Sequence, residues 1–440
     1  MTTDPTGTIN PWRWIPTLYF SQGIPYVVVM TLAVVMYKNL GVGNTEIALY
    51  TSWLYLPWVI KPLWSPLVDL LGSKRRWVVV LQFLIGVALA CIALTVPGSD
   101  FLRITLAIFW LMAFASATHD IAADGFYMLA MSEKSQAAYV GVRSTFYRLA
   151  MIAGQGGLVY LAGMWTDRTG QASTAWAMVF AVLAVGFGLA ALWHLWTLPR
   201  PVLDGPAPRS GTFWADFGTV FAAFFRQPGI LRVLAFLLLY RFAEAQLLKL
   251  VTPFMLDPLT AGGLGLKTQD VGIAYGTVGI IALTLGGLLG GWVISRAGLR
   301  RTLWPLMISM HAPNTVFIAL AIWQPQSLWL VSAGVALEQF GYGFGFTAYM
   351  VFMLMVASGP PGPIGPDGTV GTNPHKTAHY ALCTGFMALG MMLPGMWAGW
   401  LQQQLGYVNF FIWACVATVP SFLAAAFIRI DPGSGQRSPN

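Results

Sequence analysis

The stretches SPLVDLLGSKRR (Ser65–Arg76) and GWVISRAGLRR (Gly291–Arg301) decide the architecture. Ser65, Asp69, Gly72 and Lys74 of the first recur at the same offsets as Gly291, Ser295, Gly298 and Arg300 of the second, a shift of 226 residues in a chain of 440. Each copy sets a small residue four positions before a cap, a glycine at a helix end and a basic cluster behind it. One copy alone reads as an ordinary capped helix end, because a helix C-terminus favours glycine and nearby cations. Two copies half a chain apart predict parallel six-helix repeats related by an axis along the membrane normal.

Around these stretches the chain is a series of twelve apolar runs, at residues 14 to 37, 46 to 70, 76 to 96, 103 to 130, 136 to 163 and 173 to 197, then 231 to 254, 270 to 295, 301 to 322, 328 to 356, 376 to 402 and 408 to 430. Only 9% of residues are charged against 57% hydrophobic, too few charges for a water-facing surface of this size. Unpaired backbone groups are costly in hydrocarbon, so the runs are expected to be helices of an all-α integral membrane protein. The expected organisation is a six-helix bundle over 1–197, a cytoplasmic linker rich in proline and charge over 198–229 and a second six-helix bundle over 230–440. Within the linker, Phe213 to Phe225 has an amphipathic pattern suited to a membrane surface. The insertion from Ser358 to Lys376 carries too much proline and glycine for regular structure.

Lysine and arginine set the orientation. With both termini cytoplasmic, fifteen basic residues fall on the cytoplasmic side, among them Arg75, Arg76, Arg209, Arg300 and Arg437, against four opposite: Lys38, Arg103, Arg168 and Lys267. The bias is positive-inside, and an inner-membrane location is expected. The bias also accounts for the net charge of +8 without a nucleic-acid partner, since the basic residues are scattered over loops. The first apolar run has full spanning length and no small-residue cleavage pattern before it, so no signal peptide is expected. Cys91, Cys383 and Cys415 stand singly in apolar runs as core fillers, without the spacing of a metal or redox site, and no cofactor is expected.

The spacing small-x-x-x-Asp-x-x-Gly-x-basic resembles the loop signature of the major facilitator superfamily, although Leu70 stands where the signature has a basic residue and Ser295 replaces the acid in the second copy. PLWSPLVD (Pro62–Asp69), SATHDIAADGF (Ser116–Phe126) and YRLAMIAGQGG (Tyr147–Gly157) resemble the AmpG-type muropeptide permeases in helices 2, 4 and 5. The resemblance implies a twelve-helix major facilitator fold whose helices 1, 4, 7 and 10 line a central cavity, with Asp69, Gly72, Arg296 and Gly298 in the conformational loop motif. It implies import of an amphipathic solute with protons; siderophore and acetyl-coenzyme A carriers of the same branch are the alternatives.

The few charges inside the runs are the candidate site. Asp120 and Asp124 share one face of helix 4, and Arg143 and Arg148 return on helix 5. Measured from the turn near Glu133 and Lys134, Asp124 pairs in depth with Arg143 and Asp120 with Arg148, a two-rung ion-pair ladder. The ladder either fixes packing, or one aspartate carries a proton, or Arg148 binds substrate. His119 points away from Asp120 and reads as a packed, hydrogen-bonded side chain. On helix 7, Arg241 and Glu244 are spaced to pair within the helix; on helix 10, Glu338 has Tyr342 one turn away and Gly341, Gly343 and Gly345 nearby; helix 1 offers Tyr19, Gln22 and Tyr26. Pro25, Pro253, Pro305 and Pro394 are expected bending points. A polytopic enzyme is the competing class, but Arg143 and Arg148 at the depth of Asp120 and Asp124 argue against a metal pair. A receptor is the third class. No Gly-x-x-x-x-Gly-Lys loop for nucleotide occurs. The expected partners are therefore a small-molecule solute, protons and membrane lipid, with the chain acting as a monomer and not as an enzyme.

Overall fold

The computed structural model describes residues 10–202, 204–205, 213–359, 373, 375–430 and 435. Arg209, Arg437 and most of the Ser358 to Lys376 insertion lie outside the described residues, as do the side chains of Asp69, Glu133 and Lys134. Among the described residues there are helices and no strands. Joined across short breaks they form twelve rods, numbered as in the sequence: helix 1 (11–39), 2 (44–71), 3 (74–95), 4 (101–130), 5 (133–169), 6 (172–197), 7 (230–256), 8 (268–297), 9 (299–323), 10 (328–358), 11 (376–405) and 12 (407–427). Helices 11 and 12 run together except at Gly406, whose φ of 72° turns the chain. Phe213–Phe225 forms a separate helix before helix 7.

Among the described residues eight helical stretches are long and apolar enough to cross a membrane, or nine if Gly218–Phe225 and Ile230–Leu256, bent by 90°, count as one. Helices 11 and 12 count together as the one stretch Lys376–Phe427, helix 2 falls short because residues 54–55 interrupt it, and helix 5 because it carries too many polar groups. Large apolar side chains point outward along the rods, including Leu94, Trp196, Leu288 and Trp329, as a lipid-facing surface requires. Cys91 belongs to that exposed face, so it does not fill the core; Cys383 does.

Two compact units are present, residues 1–43, 63–208 and 266–277 in one, and 44–62, 209–265 and 278–440 in the other. The opening of helix 2 thus packs with the later part of the chain and the opening of helix 8 with the earlier part.

In the first unit Trp14, Tyr19, Val78, Phe126 and Tyr127 are buried together, with Trp14 meeting Phe126 edge-on at 5.3 Å. In the second, Tyr240 stacks on Tyr349 at 4.6 Å beside Phe236 and Phe352. Helix 7 is broken at Tyr240–Arg241, and its second part contains Pro253. The break is held by side chains that take up freed carbonyls: the Tyr349 hydroxyl donates to the Leu237 oxygen at 2.5 Å and Ser421 to the Leu239 oxygen at 2.7 Å. Helix 10 packs closely through its glycines. A Cβ on Gly343 would collide with the Leu283 oxygen, and one on Gly341 with the Ser309 oxygen.

Candidate functional site

The first unit gathers the charges of helices 4 and 5. Arg143 Nη2 lies 2.8 Å from Asp124 Oδ1, each side chain keeping about a third of its surface exposed. The guanidinium stacks over Tyr19 at 4.6 Å and over Tyr127 at 5.5 Å, and the Tyr19 hydroxyl donates to Asp124 at 3.5 Å. A cation held between an acid and two ring faces keeps its charge at partial burial. Asp120 and Arg148 both act electrostatically on the Tyr147 phenol. Gln22 is buried on helix 1, its Oε1 without a hydrogen-bond donor. Helix 1 comes so close to helix 5 that a Cβ on Gly23 would stand 2.7 Å from that of Ala150.

A hydrogen-bonded network in the same unit carries no sequence pattern. Thr17 meets His194 Nε2 at 2.8 Å, His194 Nδ1 meets Gln82 Oε1 at 2.8 Å, and Gln82 Nε2 meets His119 Nε2 at 3.1 Å. The amide fixes the direction: its oxygen must accept from His194 and its nitrogen must donate to His119, which makes the His119 imidazole neutral. Helices 1, 6, 3 and 4 are tied together by this chain, and His119 is the packed, hydrogen-bonded residue expected of it.

The loop motif is built differently in its two copies. Gly298 ends helix 8 at φ 79°, a region favouring glycine, while Arg296 stacks over Trp292 at 4.3 Å. Gly72 has no positive φ; there Ser73 caps helix 3 by accepting from the Arg76 amide. Asp204, a linker residue the sequence did not single out, accepts from the Lys74 and Arg75 amides at 2.6 and 3.0 Å, an acid placed at a helix N-terminus. Arg75 in turn donates to the Leu195 and Leu198 carbonyls at the end of helix 6.

The second unit holds the most deeply buried acids. Glu244 and Glu338 have no exposed surface and are close enough to interact electrostatically. Gln339 donates to Glu338 Oε2 at 2.9 Å, whereas Glu338 Oε1 and both oxygens of Glu244 have no hydrogen-bond partner. Asn314 stands beside Glu244 without completing a hydrogen bond, and both ring nitrogens of the buried His311 also lack partners. The expected pairing of Arg241 with Glu244 inside helix 7 is not made as a hydrogen bond, because the helix breaks at Arg241: its guanidinium donates to the Tyr342 hydroxyl and lies over the Tyr342 and Phe346 rings at 5.3 and 5.0 Å. Arg241 reaches Glu244 through its field. Among the described residues no three His, Cys, Asp or Glu side chains form a metal-binding group.

A twelve-rod helical fold with ionisable groups on helices 4, 5, 7 and 10 is the construction of a membrane carrier, and the comparisons define which one. The profile of the Major Facilitator Superfamily matches residues 17–365, and the chain belongs to that family. It is 26% identical over 377 residues to the anhydromuropeptide permease of Escherichia coli (strain K12), covering 84% of this chain and 70% of the permease. It is 24% identical over 425 residues to a putative transporter AmpG 4 of Rickettsia conorii, covering 93% and 94% of the two chains. Among solved structures it is similar to the nucleoside transporter NupG, with a TM-score of 0.64, 18% identity and 94% and 98% coverage of the two chains. It is also similar to a POT family transporter in complex with 5-aminolevulinic acid, with a TM-score of 0.69, 12% identity and 96% and 97% coverage. At these identities the structural neighbours establish the major facilitator fold. The chain is a multi-pass membrane protein of a bacterial transporter family, it handles a small-molecule substrate, and its relatives are carriers and not enzymes.

Proposed function

We propose that the protein imports anhydro-muropeptides across the inner membrane by alternating access, as a proton symporter and a monomer in lipid, with both termini in the cytoplasm. The observation that carries this reading is the similarity to the anhydromuropeptide permease across most of the chain. The arrangement of polar groups supports it. A sugar–peptide needs hydrogen bonding, charge and ring faces; within the first unit Gln22, Asp120, Asp124, Arg143 and Arg148 offer these on helices 1, 4 and 5, and within the second unit Arg241 and Tyr342 offer a cation and a ring. In this reading Asp120 pairs with Arg148 as the second rung. Glu244 and Glu338 are the proton carriers, since a buried acid with oxygens that accept no hydrogen bond is most easily held neutral and then discharged. The repeat corresponds to bundles over 1–197 and 230–440 joined by 198–229, with Asp69, Gly72, Arg296 and Gly298 as equivalent hinge loops on the cytoplasmic side.

The test is uptake of labelled anhydro-muropeptide, ferric siderophore and simple sugars into a transporter-deficient host, with and without an uncoupler. Uncoupler-sensitive accumulation of the muropeptide alone is expected; accumulation of the siderophore instead would replace the substrate.

A further inference from the structure

Lys249 lies on helix 7 with 5% of its surface exposed. Its ammonium donates to Thr51 Oγ1 at 2.9 Å and sits 5.2 Å from the centre of the Tyr55 ring. The Thr51 hydroxyl spends its own proton on the Ile47 carbonyl at 2.7 Å, so its lone pairs face the ammonium. Lys249 takes part in neither of the ion pairs described, Arg143 with Asp124 and Lys267 with Asp167, and among the described residues no charged group acts on it. An ammonium has three donors, and one hydroxyl and one ring face leave at least one of them without an oxygen.

Beside it, Ser52 is wholly buried and its hydroxyl makes no hydrogen bond. Gly395 of helix 11 faces both groups: a Cβ there would stand 2.8 Å from Ser52 Oγ and 3.3 Å from Lys249 Cγ. Glycine at this position lets helix 11 pack directly against Ser52 and the stem of Lys249.

A cation in a membrane helix costs several kcal/mol unless an opposite charge meets it, which makes an acid-free lysine an unfavourable way to pack a helix. The missing counter-charge is one that fits an ammonium and a hydroxyl side by side, two donors toward two adjacent oxygens. We propose that Lys249, with Ser52, binds a carboxylate of the transported solute, Thr51 and Tyr55 fixing the direction of the ammonium. This deepens the substrate reading above and rests on it for the source of the carboxylate, a stem-peptide acid.

The full-length protein purified in detergent would be titrated with a peptide-bearing anhydro-muropeptide and with its methyl ester. In parallel, thermal unfolding would be followed by tryptophan fluorescence in acetate, phosphate and chloride at equal ionic strength. Wild type is expected to bind the free acid at least about tenfold more tightly than the ester, and Lys249→Met to lose most of that preference, with Lys249→Arg keeping part of it. Ser52→Ala, which removes a hydroxyl without a partner and so should fold, is expected to weaken the preference about threefold. Equal binding of acid and ester by wild type, or full preference in Lys249→Met, would overturn the subsite. If neither muropeptide form binds, yet acetate stabilises wild type over chloride and not Lys249→Met, the carboxylate subsite stands and the muropeptide reading falls. No response of wild type to any carboxylate overturns both, and stabilisation by phosphate equal to that by acetate overturns the carboxylate assignment.

Discussion

Arg143 and Asp124 meet at 2.8 Å across helices 4 and 5, six residues before the end of helix 4 and ten after the start of helix 5, and both remain partly exposed. Partial exposure places the value of the pair between the surface and buried limits, roughly 1 to 3 kcal/mol. Asp124→Arg alone sets two cations together and is expected to lower membrane abundance several-fold. Asp124→Arg with Arg143→Asp should recover part of it, and only part, because the relocated guanidinium leaves the Tyr19 and Tyr127 rings. Abundance in membranes, read by immunoblot, decides; a double variant no better than the single one argues against the pairing as a stabilising contact.

Helix 10 gives a sharper contrast between two glycines. A Cβ on Gly343 would collide with the Leu283 oxygen, whereas one on Gly287, on the facing helix 8, would meet nothing closer than 3.7 Å. Gly343→Ala must push backbone apart and should cost about 1 to 3 kcal/mol. Gly287→Ala should be neutral or stabilising by up to about 1 kcal/mol through helix propensity. Thermal midpoints of the two purified variants should therefore move in opposite directions or differ by several degrees; equal shifts would show that this contact does not limit the packing.

What the sequence reveals divides along physical lines. The rods were legible because hydrocarbon demands continuous apolar helices, and the Asp124–Arg143 pair because charge in a membrane must be matched in depth. The chain from Thr17 through His194 and Gln82 to His119 was not legible, since its members come from four different rods and hydrogen bonds between them obey no charge-matching rule. The hydrogen bond from Arg241 to Tyr342 was not legible for another reason. The spacing to Glu244 presumes an unbroken helix, and the break at Tyr240–Arg241 depends on Tyr349 and Ser421 from distant rods taking up the freed carbonyls.

Asp167, beyond the expected span of helix 5, allows a test by pH. Hydrogen bonds from Lys267 at 3.2 Å and from Gln269 at 2.8 Å hold its carboxyl below the ordinary value of 3.8. A carboxyl depressed in the folded state contributes stability that is present above the unfolded value and lost as pH falls through the folded one. Thermal midpoints of wild type and Asp167→Asn should differ near neutral pH and converge as pH is taken below about 4. A difference that persists unchanged into acid would mean that the charge of Asp167 contributes nothing.

The acids that carry protons are separable from the acids that hold the fold by what neutralisation leaves behind. Asp124→Asn strands Arg143 and should mainly reduce abundance. Glu244→Gln and Glu338→Gln strand no hydrogen-bond donor, because both Glu244 oxygens and Glu338 Oε1 accept from none and the Gln339 contact can still form. These two variants should fold with near wild-type abundance. A glutamine mimics the protonated acid and cannot release its proton, so a carrier locked in that state exchanges solute across the membrane but cannot concentrate it. In proteoliposomes, at least one of Glu244→Gln, Glu338→Gln, Asp120→Asn or Asp124→Asn is therefore expected to retain counterflow of labelled muropeptide while losing accumulation driven by a pH gradient. The electrostatic contact between Glu244 and Glu338 adds a condition: if the pair shares one proton, either single glutamine should abolish uphill uptake and the double variant should be no worse than the single ones. Well-folded variants at all four positions that still accumulate solute in an uncoupler-sensitive way would exclude proton coupling through these acids.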